Sequence, residues 1–423
     1  MTTDNGRPNL AILKGGRLTS KEFATLSLQA KIDYLHHLRG AMKLRTIMED
    51  PKPEKLVRSL PKVDIYQILH DLGSEESLEI IQLASPAQIR FVLDWELWEE
   101  WSISVDRTLE WIELLLADEE QAIEIISRLD QELLLVFLKK TVAVGGGLGD
   151  IINSEDYQLE WDHTFDEMYY IKFLDSRHNE LVLRFLDLIY RQNHPLYRSL
   201  MQGVENELLS ELEELAGQFR QSRLDDEGFP SPHDAAALYT RVSPEDFTPA
   251  GDKVNIPTSE DISPFPAIPD DEASLLSRAF ATADSPALRQ EFHHLTNGAM
   301  VAEGVTPADH EKMRPVLERV GSYLNIALEF LCDNESEGAA ILTGEHLKRL
   351  FSLGYSLLAQ LQERARKLES DNYAADKVLT GLKMRRPLFY RGLDPDTVDN
   401  YREFAGMEDL RTMDQFLRAL ETA

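Results

Sequence analysis

The sequence predicts an all-α protein: an N-terminal helical-repeat superhelix, a proline-rich connector, and a C-terminal helical domain with a long antiparallel hairpin. Three observations carry that expectation. Apolar residues recur every three or four positions through most of the 423 residues, the period of a helix with one buried face. A block of such residues returns after 44 to 45 positions, within the spacing of about 40–47 shown by solenoids of two or three helices per repeat. Six of the 19 prolines fall between Pro244 and Pro269, where missing donors and fixed φ exclude both helix and sheet.

Residues 20 to 46 are expected to form one or two helices. Thr19 stands at their start with Glu22 three positions on, the pattern of a capping box, and Leu26, Leu28, Ile32, Leu35 and Leu38 give a broad apolar face. The repeats follow, at about 61–94 and 105–139. Ile65, Ile68 and Leu72, followed by Ser74, Glu75 and Glu76, return as Leu109, Ile112 and Leu116, followed by Asp118, Glu119 and Glu120. One residue is then gained: Glu79-Ile80-Ile81 becomes Glu124-Ile125-Ile126, Ser85-Pro86-Ala87-Gln88 becomes Asp130-Gln131-Glu132-Leu133, and Ile89, Val92 and Leu93 become Leu134, Phe137 and Leu138. Ser85 with Pro86 and Gln88, and Asp118 with Gln121, mark helix starts, since their side-chain oxygens accept from orphan backbone donors. Short helices of about ten residues are expected.

Gly145-Gly146-Gly147-Leu148-Gly149 ends the repeats and reads as a flexible loop. Position 150 is Asp where a dinucleotide fingerprint requires glycine, and no Gly-Lys-Ser/Thr follows for a phosphate loop. Met168 to Leu174 is the one expected strand, being aromatic and β-branched. Helices are expected from Asn179 to Asn193 and, as one long element, from Leu196 to Arg223, with Val204, Leu208, Leu212, Leu215 and Phe219 in register. The N-terminal domain is thus 1–242, the linker 243–270 and the C-terminal domain 271–423. In the last, Pro307 to Leu331 and Gly344 to Leu368 carry near-heptad patterns joined by the acidic turn Asp333 to Gly338. Gly354 would let the two helices of a hairpin approach closely.

Charge and cysteine usage narrow the classes of function. With 74 acidic against 44 basic residues the chain carries a formal charge of −30, which repels phosphate backbones and anionic lipid. No nucleic-acid partner is expected. The most apolar run, Leu133 to Val144, is interrupted by Lys139 and Lys140 and falls short of the ~20 residues that span a bilayer. Cys332 is the lone cysteine and closes an apolar helix, where an inert buried thiol is the plain reading. With no secretory signal pattern at the N-terminus, a cytoplasmic location is expected.

The repeat residues, with Leu-Pro-x-x-Asp-Ile beginning at Leu60, resemble the intracellular N-terminal domain of MgtE-type magnesium transporters over about residues 55 to 142, and more distantly flagellar motor-switch repeats. Over its full length, including Trp161-Asp162-His163-Thr164-Phe165-Asp166 and Arg386-Pro387-Leu388-Phe389-Tyr390-Arg391-Gly392-Leu393, the chain is similar to a bacterial family known only as a domain of unknown function. The transporter resemblance implies an all-helical superhelix able to respond to a divalent cation through acidic surfaces. It does not imply transport, because the transmembrane part is missing.

Candidate chemistry is sparse. Glu291 and His294 stand at i, i+3, half of a carboxylate di-metal site, with Asp33/His36 and Asp175/His178 as looser partners. His293 and His294, and likewise His36 and His37, point to different faces of a helix. No Gly-x-Ser-x-Gly elbow is present. Trp95, Trp98 and Trp101, with Glu96, Glu99 and Glu100, are expected along one side of a helix, as core between repeats or as a protein interface. Lys383, Arg385, Arg386 and Arg391 form a basic island around Phe389 and Tyr390, read either as intramolecular ion pairs or as an anion or acidic-partner site. The preferred function is a non-enzymatic scaffold binding another protein, with self-association left open and no cofactor. The alternatives are a regulator gathering Mg²⁺ or another divalent cation at acidic clusters such as Glu75-Glu76 and Asp118-Glu119-Glu120, and a metal-dependent enzyme using Glu291, His293 and His294.

Overall fold

A computed structural model describes residues 18–72, 74–99, 101–146, 161–251, 253 and 274–422. The chain is mainly helical and divides into two compact units, Met1–Leu224 and Asp225–Ala423.

The first unit opens with three short helices, α1 (Ser20–Ala24), α2 (Leu28–His36) and α3 (Gly40–Met48), where one or two were expected. Thr19 and Glu22 do close a capping box on α1, and Ser27 starts α2 by accepting from Ala30 N. Next come α4 (Pro53–Arg58) and two groups of three: α5 (Lys62–Asp71), α6 (Ser74–Leu83) and α7 (Pro86–Glu96), then α8 (Val105–Leu115), α9 (Glu119–Ile126) and α10 (Gln131–Thr141). Their starts are set locally. Ser85 and Gln88 form a capping box on α7 with Pro86 in its first turn, and Asp118 accepts from Gln121 N at 3.1 Å. Each such cap stabilises its helix by about 1 kcal/mol. Gln88 also reaches beyond its helix: its amide donates to the carbonyls of Val57 and Leu60, both at 2.8 Å, and ties α4 to α7. Ile65, Ile68, Ile80, Ile89, Val92, Ile125, Leu134 and Phe137 are buried between these helices, at about 1.5–3 kcal/mol per large apolar side chain.

Two expectations fail here. Trp98 and Trp101 are not helical, because α7 ends at Glu96, and β1 (Trp98–Glu99) pairs antiparallel with β2 (Ser102–Ile103). The extended chain lets Trp98 turn inward, under the Arg220 guanidinium at 5.2 Å. The glycine run is likewise not a loop through Gly146: β3 (Val142–Gly146) leaves α10 directly and forms a sheet of order β3-β5-β4 with β4 (His163–Thr164) and β5 (Tyr169–Phe173). A Cβ on Gly145 would meet the Trp161 ring, and Gly146 has φ +111°, so glycine is what allows the indole to lie across the strand. Gly147 to Gly149 lie outside the described residues. The strand expected at Met168 to Leu174 is β5.

After α11 (Asn179–Gln192), the single long helix expected from Leu196 to Arg223 is two, α12 (His194–Asn206) and α13 (Leu209–Asp226), because Glu207 is extended. In the second unit the described part of the predicted linker, Ser243–Gly251 with Lys253, has no helix or strand. It lies along its own unit: Ala250 N donates to Glu345 at 2.9 Å and Phe247 stacks beneath Arg349. The remainder of 243–270 is outside the described residues.

The second unit contains α14 (Pro232–Ala236), α15 (Leu275–Ala283), α16 (Pro286–Glu303), α17 (His310–Leu331), α18 (Glu335–Gly344), α19 (Leu347–Ala365), α20 (Tyr373–Lys383), the pair β6 (Phe389–Tyr390) and β7 (Tyr401–Arg402), and α21 (Met407–Glu421). The two long heptad-like segments are α17 and α19, and they pack on each other. Gly354 makes this contact possible, since a Cβ there would collide with the Tyr323 carbonyl. The acidic stretch between them is not a simple turn: Asn334 caps α18, which Glu335 to Gly338 begin.

Candidate interaction site

The first unit holds a cleft of about 230 Å³ between α5, α7 and α8, with Ser77 of α6 at its edge. Its geometry follows from helical spacing. Tyr66 and His70 lie one turn apart on α5, Val92 and Glu96 one turn apart on α7, and Glu110 and Trp111 project from α8. Tyr66 is 3% exposed and stacks on Trp95 at 6.2 Å between centroids and 14° between planes, with Phe91 edge-on behind it. Among the described residues neither Glu96 nor Glu110 has an ion-pair partner; the nearby Arg107 pairs with Glu99 at 3.6 Å and donates only to the Glu96 carbonyl.

The hairpin β1–β2 lies at the end of α7. Ser102 accepts from Lys140 and donates to Glu213, and Lys140 and Glu213 are 3.0 Å apart. Trp98 packs beside Gly217 of α13. Trp101 is 83% exposed at the turn. The three predicted tryptophans are thus split: Trp95 backs the cleft, Trp98 anchors the hairpin and Trp101 faces solvent. Leu208, just before α13, and Leu215 and Phe219 on it are also exposed.

The proposed metal ligands serve other ends. Glu291 accepts from Leu347 N at 3.0 Å and from His346 at 3.3 Å, capping α19, and pairs with Lys253. His294 lies against Gly228, and burial lowers its pKa despite Glu291. His293 meets the Asn297 amide at 3.1 Å. His36 pairs with Asp64 at 2.7 Å rather than with Asp33, Asp175 holds Arg177, and Glu119 holds Arg191. Among the described residues no three of His, Cys, Asp and Glu are placed to hold a metal ion. The Glu75 side chain is outside the described residues. Cys332 is buried, which raises its thiol pKa.

Most of the basic island is occupied within its own unit. Lys383 donates to the Leu368 carbonyl, Arg391 pairs with Asp394 and Asp396, and Arg386 lies 3.5 Å over the Tyr239 ring and 3.6 Å from Glu303. Arg385 alone is exposed without an ion pair among the described residues.

Sequence reasoning missed the group that Arg386 joins. Arg319, 8% exposed on α17, donates to Glu303 and, at 2.8 Å, to Glu403, while Tyr239 donates to Glu303. Tyr323 lies buried beside them, its hydroxyl without a hydrogen bond among the described residues. Burial pushes Glu403 up to about 7, and the neighbouring Glu303 adds to the rise while Arg319 opposes it. Nothing in the local sequence announces this, because the members are drawn from positions 239 to 403.

A model of a family of unknown function, DUF6178, matches residues 20–423. The chain belongs to that family. No curated protein and no solved structure matches it. The Trp161-to-Asp166 stretch of this DUF6178 member builds a turn: Asp162 accepts from Phe173 N, Asp166 accepts from Met168 N and Tyr169 N, and Phe165 stacks on Tyr190. Among the described residues no helix is long and apolar enough to cross a membrane.

Proposed function

We propose that the protein is a non-enzymatic cytoplasmic scaffold whose first unit is a helical-repeat superhelix that binds a partner protein at the β1–β2 hairpin. The observation that carries this reading is Trp101. An indole 83% exposed, on a hairpin fixed by a buried tryptophan and a lysine–glutamate pair, is a preorganised anchor of the kind that dominates protein interfaces. The exposed side chains of α13 add apolar surface to the same unit. At a charge of −30 the partner is one that offers an apolar pocket with a basic rim. The superhelix belongs to this proposal: the two groups α5–α7 and α8–α10 follow the 44 to 45 residue offset, and the MgtE-type resemblance supports the same stacking.

The test is native purification of tagged wild-type protein and a Trp101→Ser variant from the source cells, with quantitative mass spectrometry. A partner that anchors on Trp101 should bind the variant with a loss of about 2 kcal/mol or more, roughly thirtyfold. Partners recovered equally with both proteins would overturn the hairpin as the site.

A further inference from the structure

We infer that the cleft between α5, α7 and α8 is a binding site for an arginine side chain of a peptide segment, distinct from the hairpin surface. Three features of the cleft specify that chemistry. Two carboxylates, Glu96 and Glu110, line it without any ion-pair partner among the described residues, although elsewhere in this unit carboxylates such as Asp94, Glu119 and Glu213 are paired. Half-buried Trp111 supplies aromatic surface, backed by the buried Tyr66, which Trp95 and Phe91 hold in place. The cavity of about 230 Å³ is sized for a side chain rather than a folded element. Carboxylate and aromatic groups together select an organic cation, and a planar guanidinium both pairs with carboxylates and stacks on rings. A bare metal ion fits worse: His70 lines the cleft with Glu96 and Glu110, yet among the described residues no three of His, Cys, Asp and Glu are placed to hold one.

The proposal does not depend on Trp101. The two sites are therefore testable apart.

The full chain would be titrated calorimetrically with an acetylated, amidated Gly-Arg-Gly peptide and with its citrulline twin, which keeps the shape and removes the charge. Saturable binding of the arginine peptide is expected, with a dissociation constant of order 1 mM or tighter and at least tenfold weaker binding of the citrulline peptide. A Glu96→Gln/Glu110→Gln variant should weaken the arginine peptide at least tenfold with an unchanged melting temperature, and Trp111→Leu should weaken it too. Trp101→Ser should bind it as wild type does. Agmatine, a free guanidinium, should bind more weakly than the peptide. Tighter agmatine binding would make the ligand a small metabolite and overturn the peptide assignment. Equal binding of the two peptides, no saturation, wild-type affinity in the double glutamine variant, or loss of binding in Trp101→Ser would each overturn the site.

Discussion

Replacing Arg319 with methionine tests how the second unit tolerates its buried charges. Arg319 is 8% exposed and donates to both Glu303 and Glu403, whose side chains are 14% and 11% exposed. Methionine fills much of the stem volume and removes the cation. Removing one partner of a buried ion pair typically costs 3–5 kcal/mol. Arg386 stays 3.6 Å from Glu303, so most of the loss falls on Glu403 and about 3 kcal/mol is expected at pH 8. For a unit of about 200 residues, that lowers the melting temperature by about 6–12 °C. The direction with pH follows from Glu403. Its folded pKa, about 7, lies above the ordinary glutamate value of 4.5, so the folded state holds the proton more tightly; the associated stability is complete below about 4.5 and lost as pH rises through 7. Without Arg319 the folded pKa rises further and the penalty deepens on the alkaline side. The gap between wild type and Arg319→Met should therefore be small at pH 5 and large at pH 8. Urea unfolding by circular dichroism reads it. All five tryptophans lie between Trp95 and Trp161, so fluorescence follows the first unit alone and separates the two transitions. Equal destabilisation at both pH values would refute the charge argument and leave only lost packing.

Three further outcomes follow from particular contacts. Gly354→Ala forces a methyl group against the Tyr323 carbonyl and should destabilise the second unit by about 3 kcal/mol in the same assay, with the tryptophan transition unmoved. Gln88→Leu leaves the Val57 and Leu60 carbonyls without their shared donor in a 3% exposed position, and should lower first-unit stability by about 2–3 kcal/mol as followed by tryptophan fluorescence. In the basic island, Arg385→Glu should leave the melting temperature within 1–2 °C of wild type, while Arg386→Glu, placing a carboxylate beside Tyr239 and Glu303, should lower it severalfold more.

Helices were legible in the sequence wherever their start signals are local. Thr19 with Glu22, Ser85 with Gln88, and Asp118 with Gln121 act within one turn, and each caps the helix expected. What the sequence hides is anything that depends on distant partners. Val142 to Val144 reads as the end of an apolar run and Gly145-Gly146 as a loop until β5 supplies a ladder for them to pair with. Trp98 matches a helical spacing with Trp95, yet β-pairing with Ile103 and cover from Arg220, more than a hundred residues away, decide its conformation. The break at Glu207 lies in an unbroken apolar periodicity with no proline or glycine to mark it. The site was legible as residue types only: Trp95 and Glu96 were singled out as an interface stripe, but the cleft needs Tyr66 and Trp111 from neighbouring helices. Most of the predicted arginine and histidine side chains are engaged within the protein, for the converse reason. Arg386, Arg391, Glu291 and His293 look available in sequence because their partners, Tyr239, Asp396, Leu347 N and Asn297, are invisible there.

The interaction claim is tested most directly by site-specific photocrosslinking in the source cells, with benzoylphenylalanine at position 101 and, as control, at Glu124, an exposed position on α9. The account predicts a discrete protein adduct at 101, to a partner or to a second copy of the chain, and none at 124. No adduct at 101, or the same adducts at both positions, would contradict it.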